Sequence, residues 1–428
     1  MHHERTMEQG RHVQLGLGCW VAVFAAAVMG CSRTPESTYT LRADVEEIEI
    51  PEKHKQQIEE ILTFFHGTPS NPRMSLPGEL IEVEEEESDQ AVDEASTAAF
   101  EFAALLERTD KPGYDPLTLK LGHQVSTQRC AGCHGTTGDG QGPAGAHLNP
   151  PPRDYRKGIF KFTSTPRGSK PRREDVRRIV HYGAKGTSMP AFRWLPEEER
   201  EAVIDYVQVL ASRGELELAL IQESEFELDE EDDFDPEYVA EFAQDISDSW
   251  DRADEELVRA VTVNPPVTDE TVHDGAVAFV EMYCVKCHNR DAAGSKTADV
   301  GEDVWGRIAY PANLSLGMLH GGRRPIDIYR RIYSGINGTP MPSSKDPNTV
   351  INETEEERSD RIWHLVHFVT TVIENNGVPD DAQAAIDETI ARLAAEAAGE
   401  TDAETPEATA EADEGESAAV LNEGGVSS

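Results

Sequence analysis

The sequence predicts a mainly α-helical chain. It is built from two copies of one small helical unit, joined by an acidic, partly helical linker and followed by a disordered acidic C-terminal tail. Three observations predict this. The pattern Cys-x-x-Cys-His occurs twice, as Cys130-Ala-Gly-Cys133-His134 and Cys284-Val-Lys-Cys287-His288. A Met-Pro pair follows each, Met189-Pro190 and Met341-Pro342, 55 and 53 residues beyond the histidine. Residues 175–190 also lie over 327–342 without a gap, with Asp175 on Asp327, Gly183 on Gly335, Gly186 on Gly338 and Thr187 on Thr339. Self-similarity on this scale is the mark of a duplicated unit.

The repeated motif has a chemical reading. Cys-x-x-Cys-His is the attachment signature of c-type haem. Two thiols three positions apart reach the two vinyl groups of one porphyrin and form thioethers, and the adjacent histidine is held under the iron as proximal ligand. A methionine sulfur is the usual sixth ligand of an electron-carrying site and raises its potential. The expected set is therefore Cys130, Cys133, His134 and Met189 around one covalently attached haem c, and Cys284, Cys287, His288 and Met341 around a second. Two Cys-x-x-Cys pairs also suit a single zinc ion. Zinc, however, requires neither a histidine after both pairs nor two matched Met-Pro sites. On these residues, both halves resemble class I cytochrome c domains joined as a dihaem cytochrome c. The resemblance covers residues 113–214 and 267–376, about half the chain.

The remaining elements follow in order. Residues 13–30 form an apolar run after a weakly charged start, so residues 1–30 read as a signal peptide. The run ends Val28-Met29-Gly30-Cys31-Ser32, which resembles a bacterial lipobox with the lipid on Cys31. An uncleaved apolar helix is the alternative, since some 18 residues barely span a bilayer. Residues 31–112 form an N-terminal extension. Pro51 starts a helix with Ile58, Ile61, Leu62 and Phe65 on one face, ended by Gly67-Thr-Pro69. After an acidic run at Glu82 and Glu84 to Glu87, a second helix is expected through Val92, Ala95, Ala99, Phe102 and Leu106.

The turn at Lys111 to Pro116 opens the first unit. A helix over Leu117–Arg129 leads into the first motif, and a glycine-rich loop follows at Gly138 to Gly142. By the resemblance, a proline carbonyl in Pro150-Pro151-Pro152 accepts the ring N–H of His134, with Pro311-Ala312-Asn313-Leu314 as the second unit's counterpart. Asp175 begins the helix before the methionine loop, and Glu197–Leu210 closes the unit. Residues 215–266 are the linker, acidic at first and then helical from Asp235-Pro236, where Val239, Phe242, Ile246 and Trp250 share a face. The second unit opens with a helix over Thr268–Tyr283 and closes with one over Glu355–Val372. From Asn376 the chain is Ala/Glu-rich, and residues 377–428 read as a disordered tail.

The full chain has 428 residues and a formal net charge of −42, which argues against nucleic-acid partners. One island reverses the sign. Residues 153–185 hold eleven cations against three anions. Such an island serves haem propionates, plain solvation, or docking by an acidic partner or the chain's own acidic linker. His147, His181, Met318 and His320 are rival distal ligands. His364 and His367, three apart on the closing helix, read as ordinary partly buried histidines more readily than as a metal site.

By the resemblance, the protein is a membrane-tethered periplasmic electron carrier. Its partners would be a quinol-oxidising complex, a periplasmic dehydrogenase or a terminal haem-copper oxidase. A cytochrome subunit of a periplasmic dehydrogenase complex is the runner-up. A dihaem cytochrome c peroxidase needs one iron that opens to peroxide. A redox or gas sensor needs an output domain, and the sequence supplies none.

Overall fold

The computed structural model describes residues 39–42, 50–81, 101–295, 300–345 and 353–402. The apolar run at 13–30, Cys31 and the acidic run at 82–87 lie outside them. The described chain is mainly helical, as expected. No described helix is long and apolar enough to cross a membrane.

Helix α1, Glu52–His66, follows Pro51 and buries Ile58, Ile61, Leu62 and Phe65, the stripe read from the sequence. Strand β1 (Gly67–Thr68) turns back on β2 (Asn71–Pro72), and β3 (Ser75–Leu80) pairs antiparallel with β4 (Leu106–Asp110). This corrects the helix expected through Phe102 and Leu106. Phe102 lies in a 3₁₀ turn, Phe102–Ala104, and Leu106 opens a strand. Both side chains are still buried against α1, with Phe102 edge-on to Phe64 at 5.2 Å. Strand β3 satisfies the backbone groups that a helix would have paired internally, so tertiary pairing overrides local periodicity. Val92, Ala95 and Ala99 lie outside the described residues.

The first unit contains α2 (Pro116–Arg129), α3 (Ala131–His134), α4 (Arg173–Tyr182) and α5 (Glu197–Phe226). Asp115 caps α2, its carboxylate accepting from the Thr118 N–H at 2.8 Å. Asp175 sits one turn inside α4 and accepts from the Arg172 N–H at 3.1 Å. Helix α5 does not stop at Leu210. Leu216, Leu220 and Ile221 on its extension share one core with Ile58, Ile61, Leu62, Phe234 and Val239. The N-terminal extension and the linker thus fold together on the far half of the closing helix. Helix α6 (Pro236–Arg252) starts at Asp235, as the Asp-Pro pair indicates, with Asp235 accepting from the Glu237 N–H at 2.8 Å.

The second unit repeats the order with α7 (Asp269–Glu281), α8 (Cys284–His288), α9 (Pro325–Ser334) and α10 (Glu355–Asn375). Part of the expected disordered tail is ordered instead. Helix α11 spans Asp380–Asp402 and buries Ala382, Ala385 and Ile386 in the second unit's core. Alanine has the highest helix propensity, and this small apolar face supplies enough burial to dock.

Both units are built on the same helix crossing. A Cβ at Gly122 of α2 would lie 2.1 Å from the Ala202 carbonyl oxygen and 2.8 Å from the Tyr206 Cβ on α5. A Cβ at Gly275 of α7 would lie 2.1 Å from the His364 oxygen and 2.8 Å from the Phe368 Cβ on α10. Each opening helix therefore meets its closing helix backbone to backbone at a glycine. The crossing lies roughly two turns of helix ahead of the first cysteine of the motif, so it sets where that motif enters the unit.

Candidate haem sites

Each Cys-x-x-Cys-His motif occupies one helical turn, α3 and α8, which stacks the two cysteines of a pair on one face. All four cysteines are free, and each is a half-buried residue. Burial pushes the Cys130 thiol up to about 11 and the Cys284 thiol up to about 12. Among the described residues, no three His, Cys, Asp or Glu side chains are grouped to hold a metal ion.

His134 Nδ1 lies 3.2 Å from the Arg153 carbonyl oxygen, and His288 Nδ1 lies 3.0 Å from the Ala312 carbonyl oxygen. The second-unit carbonyl lies within the expected stretch. The first-unit carbonyl belongs to the residue after the three prolines, not to a proline. In both units the accepting residue directly follows a proline, whose fixed φ stiffens the approach. A ring nitrogen committed to a carbonyl leaves Nε2 of the same ring as the donor to a metal. Burial holds both imidazoles below their usual range, and the Arg153 charge adds to this at His134. The carbonyl hydrogen bonds pull the other way. The net effect favours the neutral, ligating form. The His134 ring also stacks on Tyr155, with centroids 4.7 Å apart.

The two methionine loops are built alike. In the first, Thr187 Oγ1 donates to the Ala184 carbonyl at 2.7 Å and accepts from the Met189 N–H at 3.1 Å. The Ala184 N–H donates back to the Met189 carbonyl at 3.2 Å. In the second, Thr339 Oγ1 donates to Ile336 at 2.9 Å and accepts from Met341 at 3.3 Å. The Ile336 N–H closes the loop on the Met341 carbonyl at 3.4 Å. Gly183 and Gly335 start the loops at φ 72° and 69°, and a Cβ at either would meet the methionine carbonyl oxygen at 2.6 Å. The threonines and glycines aligned in the sequence are thus the parts that shape the loop. Met189 packs on the same core cluster as Cys130, with Val125, Val180 and Phe192.

The rival ligands have other surroundings, and Met318 and His320 lie beside Gly186 of the first methionine loop. His147 is exposed, Met318 is 53% exposed, and His181 packs its ring against Tyr182 at 4.5 Å. His320 bonds the Lys185 carbonyl across the interface between the units. His367 is buried and spends both ring nitrogens, on Thr271 Oγ1 and Asn264 Oδ1, each at 2.9 Å. That is a packing role.

The positive island is largely internal. Arg173 binds Asp205 at 2.7 Å and also pairs with Glu201, and Lys170 pairs with Glu215. Arg172 reaches the linker at Asp254, 2.7 Å away. Most of the rest joins the two units. Lys161 binds Asp303 at 2.9 Å, and Lys157 donates to the Val304 carbonyl at 2.9 Å. Arg178 donates to the Gly321 carbonyl at 2.6 Å and pairs with Asp327 at 3.3 Å. The sequence showed that these cations cluster. Their acceptors, many of them backbone carbonyls from about 140 to 175 residues away, had no signal in it.

Arg153 Nη1 and Trp305 Nε1 are among the buried donors without a hydrogen-bond partner among the described residues, although Arg153 Nη1 lies 3.9 Å from the Asp303 carboxylate. Unsatisfied buried donors are unfavourable, and a haem carries two carboxylates able to accept from them. The free thiols, the oriented imidazoles and these donors fit a haem.

The first unit combines a Cys-x-x-Cys-His turn, an oriented histidine and a methionine loop, the pattern of a c-type haem site. Residues 118–207 match the family described as cytochrome c oxidase, cbb3-type, subunit III. This part of the chain is therefore a c-type cytochrome domain, and such a domain carries covalently bound haem c. No curated protein matches the chain. Among solved structures, it is similar to a chain of the Kuenenia stuttgartiensis reducing HAO-like protein complex. Identity is 27%, the match covers 59% of this chain and 96% of that one, and the TM-score is 0.43.

Proposed function

We propose that the protein is a dihaem electron carrier, tethered through a lipid on Cys31 to the periplasmic side of a bacterial membrane. One observation carries the electron-carrier reading. Both units present the same set: two thiols on one turn, a histidine oriented by a backbone carbonyl, and a methionine on a loop closed by a threonine hydroxyl. In this reading His134 and Met189 would hold one haem, and His288 and Met341 would hold the other. The haem supplies reversible one-electron exchange. With a histidine and a methionine both holding each haem, no place would be left for a substrate. The methionines raise the potential, and the carbonyls on the histidine rings tune it. Lys161, Arg167 and Arg178 hold the two units against each other, as a carrier with two sites on one chain requires.

The redox partners in this reading are a quinol-oxidising complex, a periplasmic dehydrogenase or a terminal oxidase. Optical spectroscopy of the exported protein tests the ligation. The ferric protein should show the near-infrared sulfur-to-iron band from both haems, bind carbon monoxide poorly and turn over peroxide slowly. Met189→Ala and Met341→Ala should each remove half the band and open one site. An open or bis-histidine haem in the wild type, with rapid peroxide turnover, would replace the carrier by a peroxidase.

A further inference from the structure

The two methionine loops differ in one respect. The Met341 loop is held from outside by the first unit. Arg167 donates through Nη1 to the Met341 carbonyl at 2.5 Å and through Nη2 to the Thr339 carbonyl at 2.7 Å. Beside it, the Gly168 N–H donates to Asn337 Oδ1 at 2.9 Å, and Asn337 is buried. Among the described residues, no cation is bonded to the Met189 or Thr187 carbonyl. The contact made on the first loop by the second unit is His320 to the Lys185 carbonyl, at the loop's far end.

The loops' own closing bonds are alike, Ile336 N–H to the Met341 carbonyl at 3.4 Å and Ala184 N–H to the Met189 carbonyl at 3.2 Å, so the fork is what sets the second loop apart. A guanidinium presents two parallel donors in a rigid fork, and charge-assisted bonds of this kind are stronger than neutral ones. Here the fork spans the carbonyls on either side of Pro340. It fixes the backbone from which the Met341 side chain is carried.

We infer that Arg167 of the first unit is a positioning residue for the second haem site. Through its two donated hydrogen bonds it holds Met341 where a distal ligand must be, so ligation in the second unit depends on contact with the first. This rests on the reading of Met341 as a distal ligand. The first site carries no such dependence on a cation of the second. The two sites then fail in order. Loss of the contact between units releases the second methionine before the first.

The test uses the full-length, haem-loaded protein. In a Met189→Ala background, only the second site contributes to the near-infrared sulfur-to-iron band. Adding Arg167→Ala should remove most of what remains and let carbon monoxide bind there. Arg167→Lys, which keeps the charge but not the fork, should restore part of the band. In the otherwise wild-type protein, Arg167→Ala should halve the band, and amide exchange at Ile336 should rise while that at Ala184 is unchanged. A full band with unchanged exchange at Ile336 would overturn the inference. So would equal loss at both sites, which would mean a general loss of folding. If Met341→Ala itself leaves the band intact, the ligand reading fails, and the inference goes with it whatever Arg167 does.

Discussion

The guanidinium carbon of Arg153 lies 4.0 Å from the ring centre of Trp305, and the carbonyl of Arg153 accepts from the ring of His134. One residue therefore orients the first unit's histidine with its backbone and docks the second unit with its side chain. Lys161 lies over the same indole at 5.2 Å, and Asp303 balances both cations at 2.9 Å from Lys161 and 3.9 Å from Arg153. A cation against an indole in a desolvated place contributes about 2 kcal/mol. The unit interface is consequently electrostatic at its centre and has a definite response to acid.

Acid should separate the units. Burial pulls the Asp303 carboxyl up, but the Lys161 hydrogen bond and charge, with N–H donors from Trp305 and Arg307, outweigh it and leave it below the usual range. Asp327 is likewise held low, burial being outweighed by Arg324 and Arg178. A carboxyl depressed in the folded state contributes stability that is present above its unfolded value and lost as pH falls through the folded one. The interface should therefore hold above the ordinary aspartate value of 3.8 and loosen below it. Small-angle scattering at falling pH should show the chain extend. An opposite charge at this range moves a carboxyl by about 1–3 units. Lys161→Met should therefore shift the loosening to higher pH, and no shift would mean that Lys161 does not hold the interface.

The crossing glycines should tolerate no side chain. Gly122→Ala or Gly275→Ala forces a methyl to 2.1 Å from a carbonyl oxygen of the facing helix. Overpacking of this sort costs about 1–3 kcal/mol or more. Denaturant unfolding followed at the haem absorbance should show the first change acting on the first unit and the second on the second. Gly377→Ala, which meets nothing within 4 Å, serves as the control and should be near neutral.

Haem stoichiometry is open to direct count. The intact mass of the exported protein should carry two haem additions, and replacing Cys130 and Cys133 by serine should leave one. Two additions in that variant, or a colourless wild type holding zinc, would contradict the assignment of one haem to each pair.

In the proposed reading, membrane attachment turns on Cys31. Cys31→Ser should block maturation or release the protein from the membrane, since a single acyl chain anchors only marginally and a bacterial lipoprotein carries several. Retention at normal size would identify residues 13–30 as an uncleaved anchor instead.

The sequence by itself determined the chemistry. Cys-x-x-Cys-His and the Gly-x-x-Gly-Thr-x-Met-Pro loops were legible because their donors and turn residues lie close together along the chain, where spacing alone dictates geometry. The apolar stripe of α1 and the Asp-Pro start of α6 were legible for the same reason. What depended on distant segments was decided by tertiary structure. Leu106 joined a strand because β3 offered its backbone a partner. Helix α5 ran past Leu210 because α1 and α6 supplied apolar faces for Leu216 and Leu220. Ala382 and Ile386 ordered the start of the tail because the second unit offered them burial. The cations of residues 153–185 were visible as a cluster, but a cation in sequence carries no record of its acceptor. Only the packing of one unit on the other brought Arg153 over Trp305 and Arg167 onto the Met341 carbonyl. Local geometry follows from neighbouring residues, while ion pairs and burial are settled by whichever surfaces the fold brings together.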